Sequence, residues 1–201
     1  MIVLGLTGQS GTGKSTIAAM LAAKGAACID MDKVARELVQ VGSSVLREIE
    51  REFGPEFIRA DGSLDRRSLG RLVFSNSRNL AALNRITHPE LVRRTRAWLD
   101  HLSSEPSPPE VAVIDAAVLF ESGLFELADL VAVVVANADV QASRIAARDG
   151  IPLADALARV HAQRPMEEML ARADCVIRTD CPLDATARQV DDMWARLVAR
   201  V

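Results

Sequence analysis

Two kinds of apolar pattern alternate along this chain. Short continuous apolar runs occupy residues 2–6, 26–29, 111–115, 130–135 and 175–177. Runs of that length suit strands buried on both faces, the condition of a parallel sheet. The first run is followed over residues 16–23 by strong helix formers, and Gly25 reads as the residue that ends that helix. The interval 33–105 holds no strand pattern. It reads as helices over 33–39, 44–53, 66–74, 78–84 and 88–102, with Asp61-Gly62-Ser63 as a turn and His88-Pro89 capping the last helix. A helical pair over 140–149 and 153–164 joins the last two strands, and a final helix covers 184–200. The Ser- and Pro-rich stretch 103–109 is a solvent loop. Strands alternating with helices predict an α/β domain whose ligands bind beyond the carboxyl ends of the strands.

The first strand leads straight into Gly8-Gln9-Ser10-Gly11-Thr12-Gly13-Lys14-Ser15. This series matches G-x-x-x-x-G-K-[ST] and stands where the motif requires, between a strand and a helix N-terminus. Backbone N–H groups and the helix dipole favour an anion there. Gly8 and Gly13 permit backbone conformations that a Cβ would forbid. Lys14 suits the β- and γ-phosphates of a nucleoside triphosphate, and the Ser15 hydroxyl suits Mg²⁺. The loop predicts nucleotide binding, but it does not separate a small-molecule kinase from a GTPase, an ATPase motor or a nucleotide-dependent switch.

Composition narrows the classes. The 201 residues are enough for one domain with a sizeable core, and 49% hydrophobic with 25% charged residues is ordinary for a globular protein. Aromatics are only 3% and Tyr is absent, which argues against a base-stacking surface for nucleic acid. With a net charge of -3, a polyanionic ligand must be held by local basic groups. Cys28, Cys175 and Cys181 are scattered without metal-site or disulfide spacing; Cys28 and Cys175 read as small buried hydrophobes. Ile2 already begins a strand and no apolar stretch reaches membrane-spanning length. A cytoplasmic monomer is expected, with neither nucleic acid nor membrane as a partner.

Further candidates lie on the same rim. Asp30 and Asp32 end the second strand; in extended structure they point the same way, toward Mg²⁺-bound water or a substrate hydroxyl. The alternative for Asp30 is the cap of the following helix. Asp115 closes its strand as a carboxylate that contacts Mg²⁺ through water, with loop capping as the competing reading. Arg144 and Arg148 share a helix face and can close over a triphosphate, or simply form a solvated face. An N-K-x-D guanine-reading motif is absent: Asn137-Ala138-Asp139 has neither the lysine nor the spacing.

An ordered series of segments then makes the reading specific. Leu6-Thr7-Gly8, Ile29-Asp30-Met31-Asp32-Lys33-Val34-Ala35-Arg36-Glu37-Leu38, Leu64-Asp65-Arg66-Arg67-Ser68-Leu69 and Thr87-His88-Pro89 are followed by Asp115 and Leu119-Phe120-Glu121. Gln141, Arg144, Arg148-Asp149-Gly150 and Arg172-Ala173-Asp174 complete it. Along nearly its whole length the chain resembles the dephospho-coenzyme A kinases. The resemblance implies a three-layer P-loop NTPase fold with a five-stranded parallel sheet (core 1–32, 110–140 and 166–201), a helical acceptor-binding insertion over 33–109 and a helical lid over 141–165. It implies ATP and Mg²⁺ as cofactors and dephospho-coenzyme A as substrate. Asp32 would take the proton of the ribose 3′-hydroxyl, with Lys14, Arg144 and Thr7 near the transferring phosphate. Gly8, Gly11, Thr12, Gly13, Lys14, Ser15, Thr16 and Arg148 would bind the nucleotide; Ser15, and Asp115 through water, would serve the metal. Arg66, His88, Phe120 and Glu121 would shape the acceptor side with Asp32. Ala117, Met169 and Arg178-Thr179 depart from the family pattern, the last pair where the adenine side of ATP is expected. Other nucleoside or nucleotide kinases, and a nucleotide-dependent switch, are the competing classes.

Overall fold

The computed structural model describes residues 1–163 and 165–200. Strands β1 (Ile2–Thr7), β2 (Ala27–Asp30), β3 (Val111–Asp115), β4 (Leu130–Val135) and β5 (Cys175–Arg178) form one parallel sheet in the order β2-β3-β1-β4-β5. The central strands are apolar at every position because both faces are covered. Val3, Ala112, Ile114, Val131 and Val133 pack on one face. Leu4, Leu6, Val113, Ala132 and Val134 pack on the other, against α1 (Lys14–Ala23) and α9 (Leu183–Val198).

Between β2 and β3 the chain builds a helical layer from α2 (Met31–Leu38), α3 (Ser44–Phe53), α4 (Arg66–Phe74) and α5 (Ser77–Ser104). Its apolar stripes, including Met31, Leu38, Ile49, Leu69 and Leu91, join the first face of the sheet in one core. Beyond β4, α6 (Ala138–Asp149) and α7 (Leu153–His161) pack on each other around Ala142, Ile145, Ala156 and Val160, a small core apart from the main ones. The short α8 (Met166–Leu170), which the sequence pattern did not reveal, leads into β5. The predicted helix over 153–164 ends at His161, and its last residue, Arg164, lies outside the described residues. No described helix is long and apolar enough to cross a membrane.

Three sequence expectations need correction. The helices expected over 78–84 and 88–102 are one helix, α5, with Pro89 inside it. Pro89 lacks an N–H, so the rung to the Arg85 carbonyl is missing; burial of Ala82, Leu91, Thr95 and Leu99 on one side carries the helix through. His88-Pro89 is therefore not a cap. Second, Cys28 is exposed on the edge strand β2, not buried.

Third, Asp30 and Asp32 do not share a strand face. Asp30 caps α2, its carboxylate accepting the N–H groups of Asp32 at 2.9 Å and Lys33 at 3.2 Å. The helix begins immediately afterwards, so Asp32 projects from its first turn. Cap and charge can be separated experimentally. Asp30→Ala should lower unfolding stability by about 1 kcal/mol, whereas Asp30→Asn, which still accepts both N–H groups, should lose much less. Urea titration of the two variants checks this; equal losses would mean that charge, not capping, holds α2.

Candidate active site

The loop between β1 and α1 is closed from within. Thr12 donates both its N–H, at 3.3 Å, and its hydroxyl, at 2.8 Å, to the Gln9 carbonyl. Thr12 thus shapes the loop, and neither donor is directed at a ligand as expected from the motif. Gly11 has φ 83°, and a Cβ there would come within 2.6 Å of the Gln141 carbonyl oxygen on α6. Gly13, with φ 87°, is the N-cap of α1. Among the described residues the N–H groups of Gly11, Gly13, Lys14 and Ser15 have no protein acceptor. Such a row of donors at a helix N-terminus suits a polyphosphate. Ser15 and Thr16 are exposed beside it.

Carboxylates gather on the next two strand ends. Asp115 lies opposite Asp30 in the β2–β3 register and forms an ion pair with Lys14. Burial pushes the Asp115 carboxyl above its usual range; Lys14 opposes the shift, and the charges of Asp30 and Asp32 add to it. Asp32 itself is exposed, and among the described residues its carboxylate has no hydrogen-bond partner. Thr7, fully buried at the end of β1, holds a hydroxyl with no hydrogen-bond partner among the described residues. Leaving a buried hydroxyl unsatisfied costs on the order of 1–3 kcal/mol, which a group bound at this rim can recover.

The two arginines of α6 take different positions. Arg144 donates to the Gly11 carbonyl at 3.2 Å and to the Thr179 hydroxyl and carbonyl at 2.8 Å each. Thr179 in turn donates to the Thr12 carbonyl at 2.5 Å. Arg144 thereby staples α6 to the loop and to the end of β5. Thr179 supplies that staple, while Arg178 pairs with Asp180 at 2.8 Å. Behind the loop a cavity of about 240 Å³ is bounded by Gly13, Thr16, Arg144, Thr179, Cys181 and Leu183. Arg148 is exposed, held by Asp149 at 2.7 Å, and reaches the Ser10 hydroxyl at 3.4 Å. Gln163, which no sequence signal singled out, accepts the Ser10 N–H at 2.6 Å.

A second concavity lies on the insertion side. A groove of about 810 Å³ runs between α5 and residues 120–126, lined by His88, Val92, Phe120, Glu121 and Phe125 among others. The His88 ring donates from Nδ1 to the Glu121 carbonyl at 3.1 Å. Burial holds its pKa below the ordinary value, so Nε2 stays an acceptor at neutral pH. The Arg172 guanidinium lies 4.3 Å from the Phe120 ring centre and 4.1 Å from that of Phe125. This interaction was not legible in sequence; Met169, where a lysine was expected, is buried in the adjoining apolar cluster. Arg66 does not line the groove. It stands at the start of α4 and donates at 2.8 Å to the Arg36 carbonyl of α2, the helix that carries Asp32.

The His88 environment predicts a pH response. Its folded pKa lies below the unfolded one, so its stabilising contribution is present above the ordinary value of 6.5 and is lost as pH falls through the folded value. Melting temperatures measured from about pH 7.5 to about pH 5 should therefore fall more for the unmodified protein than for His88→Gln, which keeps an N–H for Glu121 but does not titrate. Parallel pH profiles would show that His88 titrates alike in folded and unfolded chains.

The same chain matches the family model described as dephospho-CoA kinase over residues 2–184. A dephospho-CoA kinase of Streptomyces avermitilis is 41% identical over 200 residues, spanning 100% of this chain and 96% of that one. Another, of Anaeromyxobacter dehalogenans, is 43% identical over 197 residues, covering 98% and 92%. A solved protein from Thermus thermophilus superposes with TM-score 0.78 at 34% identity, covering 98% of this chain and 97% of that one. A shikimate kinase of Acinetobacter baumannii shares the fold alone, with TM-score 0.54 and 12% identity over 100% and 94% of the two chains. With its phosphate loop, strand-end carboxylates and helical insertion, the chain belongs to the dephospho-CoA kinase family.

Proposed function

We propose that the protein transfers the γ-phosphoryl group of ATP to the ribose 3′-hydroxyl of dephospho-coenzyme A, giving coenzyme A, the final step of coenzyme A synthesis. Family membership supports the kinase reaction. The observation that carries the site reading is the exposed Asp32 carboxylate, without a hydrogen-bond partner among the described residues, on the same sheet rim as the phosphate loop. In this reading Asp32 accepts the proton of the 3′-hydroxyl. That oxygen attacks the γ-phosphorus, and the bond to the ADP oxygen breaks. The N–H groups of Gly11, Gly13, Lys14 and Ser15, with the Lys14 ammonium, hold the transferring and leaving phosphates.

Mg²⁺ fits this donor set. Among the described residues no cluster of three or more His, Cys, Asp or Glu could hold a metal unaided. Mg²⁺ suits instead a site of few protein oxygens completed by phosphates and water. Ser15 would hold it directly and Asp115 through water, and it would supply neutralisation of phosphate charge. Thr7 would flank the transferring phosphoryl group; Arg144, expected there from the resemblance, is tied to Gly11 and Thr179 and would instead wall the cavity behind Gly13, and Arg148 would serve the nucleotide from the lip of the loop. The 240 Å³ cavity behind Gly13 suits the base. The helical insertion would hold the acceptor, with His88, Phe120 and Glu121 in the groove and Arg66 beside α2. The α6–α7 pair would act as the lid that excludes water. The reading takes the protein to act as a monomer on a small-molecule substrate.

Mass spectrometry of products from purified protein, Mg-ATP and dephospho-coenzyme A, beside a nucleoside panel, tests the reading. Coenzyme A should form, and Lys14→Ala should abolish it. Asp32→Asn should lower kcat by about 10²–10⁴-fold while leaving the KM for ATP nearly unchanged. Equal losses in turnover and ATP binding would reassign Asp32 to nucleotide binding, and phosphorylation of a nucleoside alone would overturn the acceptor.

A further inference from the structure

Among the donors of the phosphate loop, the Ser10 N–H stands apart. Those of Gly11, Gly13, Lys14 and Ser15 have no protein acceptor among the described residues, whereas Ser10 donates at 2.6 Å to the Gln163 Oε1. Gln163 follows the last turn of α7, at the far end of the α6–α7 pair. Its amide nitrogen donates at 3.4 Å to the Gln141 Oε1, and the Gln141 nitrogen donates at 2.8 Å to the Ala136 carbonyl just beyond β4. The orientation of both amides follows from these partners. A backbone N–H at one end demands the Gln163 oxygen, and a backbone carbonyl at the other demands the Gln141 nitrogen. The remaining nitrogen and oxygen then face each other as donor and acceptor. Gln141 is 4% exposed, so the relay is rooted in the interior and ends on the tip of the loop.

We infer that Gln163 is a positioning residue for phosphoryl transfer, latching the end of the α6–α7 pair onto the loop tip so that water is kept from the γ-phosphate. The four unbonded N–H groups and Lys14 already suffice for the polyphosphate, so ATP has no need to displace Gln163 from Ser10. Arg148, which also reaches Ser10, ties the same tip from α6. Without the latch the loop can still bind ATP, but the cover over the reacting phosphate is no longer registered to it. Water then competes with the acceptor hydroxyl.

This inference rests on the acceptor reading above, and its test separates the two. Gln163→Met keeps length and flexibility but removes the acceptor oxygen. With purified protein, Mg-ATP and dephospho-coenzyme A, ADP and coenzyme A are measured together. The variant should lose about tenfold in kcat for transfer and release several ADP per coenzyme A, with the KM for ATP within about twofold of the parent. Gln141→Met should give the same signature, and the double variant should add little to either. If Gln141→Met does not fold, Gln163→Met at its half-exposed position carries the test alone. Tighter ATP binding with unchanged coupling would overturn the inference, since Gln163 would then compete with phosphate. A lowered melting temperature with an unchanged ratio of ADP to coenzyme A would also overturn it, leaving a structural role. If the parent protein makes no coenzyme A, the acceptor reading fails while the latch is still read from acceptor-free ATP hydrolysis, which should rise in Gln163→Met.

Discussion

All five strands of the sheet point the same way, and the helices that return the chain must therefore lie on its two faces. Both faces are consequently apolar, and nothing charged can be accommodated except where the strands end. The first strand delivers Thr7 and the phosphate loop to that edge, the second Asp30, the third Asp115 and the fifth Thr179. Residues far apart in sequence become neighbours there without any of them being held by a flexible segment. The helical layer over residues 31–104 is inserted at one of these strand ends, so its groove opens from the same side.

Charge at the rim is arranged in opposition. Asp115 is mostly removed from water, faces Asp30 and Asp32, and is balanced by Lys14. Desolvation makes the Asp115 charge sensitive to the others, because its buried setting screens them weakly. Lys14 is thus held at the mouth of the loop by a partner that is itself reluctant to be charged. Arg144 and Thr179 act differently, holding the loop by its carbonyl groups, so that its N–H groups face outward. Acceptors are tied inward and donors are left outward, which is the polarity that an anion site requires.

Local features of the chain were legible and long-range ones were not. The loop announces itself because its glycines and Lys14 act within eight consecutive residues and sit between a readable strand and helix. Asp115 was likewise evident as the acid closing an apolar run. Asp32 was placed on the right rim but on the wrong element, because a single cap bond pattern at Asp30 converts strand to helix within one residue. Pro89 suggested a helix end, yet burial on both sides of it outweighed the missing rung. The Arg144–Thr179 staple joins residues 35 apart, and the Ser10–Gln163 bond joins residues 153 apart. No spacing rule reaches across such distances, and Thr179 was visible only as a departure. The Arg172 stack on two phenylalanines escaped notice for the same reason.

The separate small core of α6 and α7 has a mechanical consequence. Ala142, Ile145, Ala156 and Val160 are satisfied by one another and do not join either face of the sheet. Swinging the pair away from the loop would break the polar contacts at Ser10, Gly11 and Thr179 and uncover Gln141, but would leave this small core intact. Its stiffness is internal and apolar, whereas its attachment to the loop and to the strand ends is polar. Displacement of the pair would therefore be limited by hydrogen bonds rather than by unfolding of its core.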